Sequence, residues 1–338
     1  MMKYYFAPLE GITGYIYRRA HHRFYPGLDR YYTPFIVPKE KKYLNTKERN
    51  DLLAVNNEGM QVIPQIMTNQ AGEFLRIAQV LAQDYGYKEV NLNLGCPSRT
   101  VVSKKRGSGF LSEPCRLEAF LTEVCNGLEK SGIKLSVKTR IGIENPEEFA
   151  DLLQIFLTHP LSELIVHPRL QKDFYQNSPD RQAFFMAYRA FQSAEWELCY
   201  NGDVSRVSDA EKISSEFPGI SAVMIGRGLL KNPMLIDEIK AGEQKAEMVQ
   251  RFADEESETA ERKKRYQFYW VLQEDYASVL SGEKDVLFKM KELWSYMCQD
   301  FTEPQKYWKK MKKAQKLSDF EAAALSLCRE QKLLSHKI

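Results

Sequence analysis

The stretch NLNLGCPSRTVVSKKRGSGF, Asn91 to Phe110, carries the pattern on which the fold turns. Glu89-Val90-Asn91-Leu92-Asn93-Leu94 alternates its side chains as a strand does, and Gly95 and Pro97 end the alternation at once. Cys96 is therefore set on a loop at a strand end. Further on, Ser112-Glu113-Pro114 opens a helix and Ser131-Gly132 closes it, which completes a strand, loop and helix unit.

Outward from this unit the same rhythm repeats. KYYFAPL from Lys3, YYTPFIV from Tyr31 and QVIPQIM from Gln61 precede it, and KLSVKTR from Lys134, LIVHPR from Leu164, ELCYNG from Glu197 and AVMIGR from Ala222 follow. Helical stretches lie between them. Asn145-Pro146-Glu147-Glu148 reads as an N-cap, a first-turn proline and acids suited to the dipole, and Ser208 to Glu211 as a capping box. Eight strands alternating with helices over about 240 residues predict an α/β fold, a (β/α)₈ TIM barrel. An open doubly wound sheet would show the same local alternation, and the strand count favours the barrel. After Ala241 the pattern becomes helical, with no proline until Pro304, so a smaller C-terminal all-helical domain of four helices is expected. The expected domains are 1–240 and 241–338.

Composition narrows the class. Of 338 residues, 43% are apolar and 28% charged, as in a globular rather than a disordered chain. No run approaches the roughly 18 apolar residues of a membrane span, and MMKYYFAPLEG lacks a signal peptide's apolar segment, so a cytoplasmic protein with no membrane partner is expected. The six cysteines, Cys96, Cys115, Cys125, Cys199, Cys298 and Cys328, include no C-x-x-C pair, which argues against a zinc or iron–sulfur site; no metal is expected. The net charge of +3 is too small to identify a polyanionic partner, so its distribution matters more.

In a TIM barrel, chemistry sits at the C-terminal strand ends. Polar residues accumulate there: Gln65, Asn93, Cys96, Lys138, Arg140, His167, Arg169, Asn201, Asp203 and Arg227. A lone cysteine is usually inert packing and a lone lysine usually solvated surface, so the evidence is the coincidence at six strand ends. Lys138, flanked by apolar residues, points into the barrel, where an ammonium requires a partner. The glycine loops YNGDV (Tyr200 to Val204) and IGRGLLKNP (Ile225 to Pro233) follow the last two strands, where barrels bind phosphate through backbone N–H groups and a helix N-terminus. Arg227 can add its fork of donors, and tight βα turns are the bland alternative.

The motifs APLEGITG (Ala7 to Gly14), PQIM (Pro64 to Met67), NLNLGCPS (Asn91 to Ser98), VKTRIG (Val137 to Gly142), VHPR (Val166 to Arg169), NGDV and IGRG occur in the order seen in tRNA-dihydrouridine synthases, which the chain resembles over roughly residues 4–235. It departs at Gly14, where the family commonly has aspartate, at Pro168, where a small residue is usual, and at Ser108 and Phe110, where GSGF stands for G-A-G-L.

The resemblance implies an FMN enzyme that reduces uridine in tRNA with NADPH. Hydride adds to uracil C6, electrophilic through the C4 carbonyl, and a proton must reach C5; the Cys96 thiol, held in a restricted pocket, fits that general acid. By the same resemblance Lys138 stabilises charge at the flavin N1 and O2 edge, Gln65 meets the pyrimidine edge, and Pro8, Leu9 and Glu10 contact the flavin. Asn201, Gly202, Asp203, Gly226 and Arg227 hold the ribityl phosphate. Asn93 reads the extruded uracil, while His167 flanks the flavin and Arg169 the substrate phosphate.

The tRNA reading also rests on PQKYWKKMKKAQK (Pro304 to Lys316), which has six lysines and no acid. On a helix Lys306, Lys309, Lys310 and Lys313 share one side, a stripe able to neutralise phosphates. A solvated face is the bland alternative. RKKRYQFYW (Arg262 to Trp270) offers a second basic edge, with its aromatics expected in the core. A small-molecule FMN pyrimidine dehydrogenase of the dihydroorotate type would need no basic domain, and a non-catalytic RNA-binding barrel would lose Cys96 or Lys138. A monomer is expected.

Overall fold

The computed structural model of the chain describes residues 2–39, 43–192, 194–243, 252 and 254–334. It divides into two compact units, one of residues 1–15, 29–203 and 212–225, the other of residues 16–28, 204–211 and 226–338.

The first unit is a barrel. Its strands are β1 (Lys3–Phe6), β2 (Arg30–Tyr32), β3 (Val62–Ile63), β4 (Gln65–Ile66), β5 (Glu89–Leu94), β6 (Lys134–Arg140), β7 (Glu163–His167), β8 (Glu197–Tyr200) and β9 (Ala222–Ile225). They run in the order β3-β2-β1-β9-β8-β7-β6-β5-β4, and every pairing between them is parallel. β3 and β4 are two halves of one strand, parted by Pro64, which has no N–H for the ladder. The first half pairs with β2 and the second with β5, while the Pro64 carbonyl accepts the Asn91 N–H at 2.9 Å. The ring thus closes through the break as the eight-stranded TIM barrel that the sequence rhythm predicts.

Side-chain alternation fills the interior. Tyr5, Ala7, Tyr32, Ile63, Ile165, Cys199, Ala222 and Met224 form its apolar cluster. Register places Asn93 opposite Lys138, Lys138 opposite Ile165, and Ile165 opposite Cys199, so the polar pair shares the inward level of apolar residues. At the other end of β7, the Tyr32 hydroxyl donates to Glu163 at 2.7 Å, and burial pushes that carboxyl up to about 7. Barrel chemistry sits at the opposite, C-terminal face.

Two helix starts differ from expectation. The helix after β6 begins at Glu148, whose carboxylate accepts the backbone N–H groups of Ile143, Glu144 and Asn145; Asn145 is not its cap. The helix Val207–Glu216 is preceded by Ser205 and Arg206, whose N–H groups bond Asp209, so the capping carboxylate is Asp209 rather than the Ser208 hydroxyl.

In the second unit, the helices Glu255–Ala277, Glu283–Met297, Gln305–Lys313 and Leu317–Glu330 are the four expected after Ala241, with Leu235–Glu243 ahead of them. Phe268 receives Tyr17, Phe24 and Tyr25 edge-on, the tightest at 5.7 Å, and Tyr269 lies 4.6 Å from Trp294. Arg265 is fully buried, 2.6 Å from Asp300 and 3.0 Å from the Asn232 amide oxygen, and removing either charge of that pair would cost about 3–5 kcal/mol. Among the described residues, no helix is long and apolar enough to cross a membrane.

Candidate active site

A chain of amides crosses the interior at the C-terminal end of the barrel. Asn91 donates to the Ser136 hydroxyl at 3.0 Å, and its carbonyl accepts from Gln65 at 2.7 Å. The Gln65 carbonyl in turn accepts from Asn93 at 2.7 Å. All three are buried, and each has hydrogen-bond partners at both ends of its amide, as burial requires. The remaining end of Asn93 points into the next loop: its carbonyl accepts the N–H groups of both Gly95 and Cys96, each at 3.0 Å. Asn93 is therefore the hinge between barrel wall and cysteine loop, a local side-chain turn that short amides and carboxylates favour.

The far side of that loop rests on the GSGF element. The Cys96 carbonyl accepts from the Ser108 N–H at 3.1 Å and the Ser108 hydroxyl at 2.9 Å. Gly107, at φ +55°, has no room for a side chain, since a Cβ would lie 2.8 Å from the Cys96 carbonyl oxygen. By contrast a Cβ at Gly95 would meet protein atoms no nearer than 3.7 Å, so packing within the chain does not dictate glycine there. The Cys96 thiol is half-buried, and that burial pushes its pKa above the ordinary thiol value against the pull of the nearby Arg140 and Lys138 charges. It stays protonated at neutral pH.

The Lys138 ammonium, one strand over, makes no hydrogen bond or ion pair among the described residues. Burial, aided by Arg140, lowers its ammonium to about 8. Arg140 is different in kind: its Nε donates to the Gly95 carbonyl at 2.9 Å, and its terminal nitrogens to Leu170 and Phe174 carbonyls, both at 2.7 Å. Fully buried, it fastens the loops after β5 and β7 to the end of β6, and Tyr175 covers it with its ring 5.4 Å away. Its guanidinium does structural work that its place at a strand end did not reveal.

His167, Arg169 and Asp203 form a second cluster. Arg169 grips both carboxylate oxygens of Asp203, the longer bond at 3.0 Å, and lies 3.1 Å from His167 Nε2. A guanidinium only donates, so Nε2 accepts and a neutral ring carries its proton on Nδ1. Tyr175 stacks on that ring at 6.0 Å. Asp203 holds φ +39°, a conformation Asp tolerates better than most. Asn201 ties β8 to β9 through the Met224 carbonyl at 2.8 Å, and Gly202 leaves 2.9 Å between its absent Cβ and the Tyr200 hydroxyl.

On the first strand's loop, the Leu9 N–H bonds the Thr13 hydroxyl at 2.8 Å and Gly11 takes φ +78°; exposed Glu10 pairs with Lys47 at 3.0 Å. Gly14 also finds its explanation. A Cβ there would approach Asp51 Oδ1 to 3.3 Å, and that carboxylate accepts the Tyr15 N–H, so the helix Thr46–Leu52 supplies the acid at this helix start. Gly226 and exposed Arg227 fall in the second unit, at a helix of only five residues, Arg227–Lys231. In that unit too, Lys306, Lys309, Lys310 and Lys313 are exposed while Tyr307 and Met311 are buried; Lys306 lies 3.7 Å from Glu330.

The sequence alone marked Gln65, Asn93, Cys96 and Lys138, which the barrel brings together, and it did not mark Gly107, Ser108 or Tyr175 as parts of the site. A glycine next to a serine, so soon after the cysteine, was the available signal for the first two.

The fold and this cluster define a TIM barrel with its polar groups gathered at the C-terminal strand ends, where barrel enzymes hold their chemistry. The chain belongs to the dihydrouridine synthase (Dus) family of flavin-dependent enzymes, whose family model matches residues 5–331. Among curated relatives, the "Probable tRNA-dihydrouridine synthase" of Staphylococcus epidermidis is 25% identical over 240 residues, 68% of this chain and 70% of that one. "Probable tRNA-dihydrouridine synthase 2" of Bacillus subtilis is 23% identical over 235 residues, with the same coverage. Of solved structures, histamine dehydrogenase from Rhizobium sp. 4-9 superposes with a TM-score of 0.53 at 10% identity over 71% of this chain and 46% of its own. A 2-naphthoyl-CoA reductase complex gives 0.52 at 12% identity, over 71% and 50%. These two likenesses concern the barrel fold alone.

Proposed function

We propose that the protein reduces uridine in tRNA to 5,6-dihydrouridine, with FMN as its flavin and NADPH as electron source, and with Cys96 as general acid. The observation that carries the reading is the Asn93 turn, which presents a protonated thiol at the barrel end where Lys138 leaves an ammonium unpartnered.

The residues fit a flavin. A partly buried cation with no partner calls for an anionic ligand, and the isoalloxazine edge becomes negative on reduction. The chemistry supplied by the bound group is hydride to uracil C6.

This chain's residues do the rest. The Cys96 thiol gives its proton to C5, leaving a thiolate that solvent reprotonates, so two hydrogens enter from separate donors. The Lys138 ammonium stabilises the flavin's pyrimidine edge, and Gln65, already aligned by Asn91 and Asn93, presents its amide to the same edge. Pro8, Leu9 and Glu10 wall the first loop. Asn201, Gly202 and Asp203 are the phosphate-binding residues of the first unit, where Asp203 fixes Arg169 beside His167, and Gly226 and Arg227 are those of the second. Asn93 and Arg169 bound the uracil and its phosphate.

Residues 1–240 serve as the catalytic domain and 241–338 grip the tRNA body through Lys306, Lys309, Lys310 and Lys313, which helps extract the target base from its stack. The chain works as a monomer. Purified protein should show flavin absorbance and convert uridine in tRNA with consumption of NADPH, detected by mass gain of the nucleoside. Equal turnover of free uracil or dihydroorotate would replace this reading with a small-molecule pyrimidine dehydrogenase.

A further inference from the structure

The helical unit carries a cationic groove apart from the lysine stripe. It encloses about 550 Å³ and is lined by Glu283, Lys284, Phe288, Lys291, Lys312 and Lys316, among others. Lys284, Phe288 and Lys291 follow one face of the helix Glu283–Met297 at i, i+4 and i+7. Lys312 and Lys316 come from the end of the helix Gln305–Lys313 and the turn after it.

Two of these charges have tasks within the fold. The Lys291 ammonium donates to the Ala314 carbonyl at 2.5 Å and the Lys312 carbonyl at 3.0 Å, holding the end of that helix. Glu283 accepts the Leu317 N–H at 2.7 Å, which turns the one carboxylate of the groove toward a helix start. Lys284 sits 5.9 Å from the Phe288 ring centroid and Lys312 lies 5.6 Å from the Trp308 ring. Phe288 itself is 60% exposed, and no aromatic ring among the described residues packs on it.

A bare ring rimmed by four lysines against one glutamate is a poor seat for an apolar protein helix, which would bury those charges unpaired. It suits a ligand that combines flat rings with regularly spaced anions. We propose that this groove binds a single-stranded stretch of RNA, with an unpaired base stacked on Phe288 and flanking phosphates at Lys284, Lys312 and Lys316. In a duplex the base faces are covered, so an unpaired loop of the substrate is the segment that can enter. The assignment rests on the tRNA reading for its natural ligand, but not for the binding itself.

The test uses the full chain and a fluorescent oligouridylate, with affinity followed by anisotropy across a salt series. Phe288→Ala should weaken binding roughly tenfold while Phe288→Tyr retains it. Lys284→Ala with Lys316→Ala should lower the slope of log affinity against log salt by roughly 1.4, about 0.7 per neutralised phosphate. Thermal melts matching the wild type establish that each variant is folded. Unchanged affinity in Phe288→Ala overturns the stacking site, as does polyglutamate displacing the oligonucleotide from wild type and Phe288→Ala alike, which would mark an acidic polypeptide as the occupant. Dihydrouridine formation in whole tRNA is scored separately: wild type that binds the oligonucleotide through Phe288 yet leaves tRNA unreduced would sink the catalytic reading and leave the groove standing.

Discussion

The side-chain carbonyl of Asn93 accepts the backbone N–H of Cys96 at 3.0 Å while the same amide donates to Gln65 at 2.7 Å. One side chain thereby fixes the Cys96 loop to the barrel wall. Asn93→Ala should lower kcat for tRNA reduction on the order of a hundredfold, because a displacement of about 1 Å at the reacting atom has that effect. Flavin content and the rate of flavin reduction by NADPH should be near those of the wild type. Asn93→Asp, which keeps the acceptor for the loop and loses the donor to Gln65, should fall between the two in stopped-flow assays.

Lys138 links the site to pH. Its ammonium titrates at about 8 in the folded chain against 10.5 ordinarily, so between those values the unfolded chain holds a proton that the folded chain has released. Stability of the flavin-free protein therefore rises with pH through that window, and the cost of the buried charge is fully present below it. Lys138→Met should be more stable than wild type at pH 7, with the difference fading towards pH 10.5. Urea unfolding at the two pH values measures it, and an equal difference at both would contradict the assignment.

Much of the barrel was legible because its signals are local. Alternation in Glu89–Leu94, the glycine and proline after it, and the recurrence of that unit required no tertiary knowledge. The split of the third strand at Pro64 follows from the missing N–H, yet the sequence alone read QVIPQIM as continuous, since a barrel can bridge one missing ladder bond with neighbours on either side. Helix starts at Glu148 and Val207 were hidden because an acid inside the first turn, Glu148 in one and Asp209 in the other, reached back to amides ahead of it, displacing Asn145 and Ser208. The structural role of Arg140 was hidden for a deeper reason. Strand-end position marked it with the chemical residues, while its three carbonyl partners, Gly95, Leu170 and Phe174, lie 30 to 45 positions away and no sequence pattern connects them.

The exposed lysines of the helix Gln305–Lys313 separate binding from chemistry. Replacing Lys309, Lys310 and Lys313 together with alanine should weaken tRNA binding and reduce its salt dependence, by a slope of roughly 0.7 to 0.9 for each phosphate no longer neutralised. NADPH oxidation by the flavin should be unaffected. Filter binding at several salt concentrations checks the first expectation, and retention of wild-type affinity and slope would remove the stripe from the RNA interface.

The most direct measurement follows Cys96 in a single turnover. Cys96→Ala should bind flavin and accept electrons from NADPH as the wild type does, and the reduced enzyme, mixed anaerobically with tRNA, should remain reduced because no proton reaches C5. In the wild type the same reoxidation should hold its rate through neutral pH and slow only above the ordinary thiol range, where the raised Cys96 finally ionises. Reoxidation of Cys96→Ala by tRNA at the wild-type rate would show that the proton comes from elsewhere.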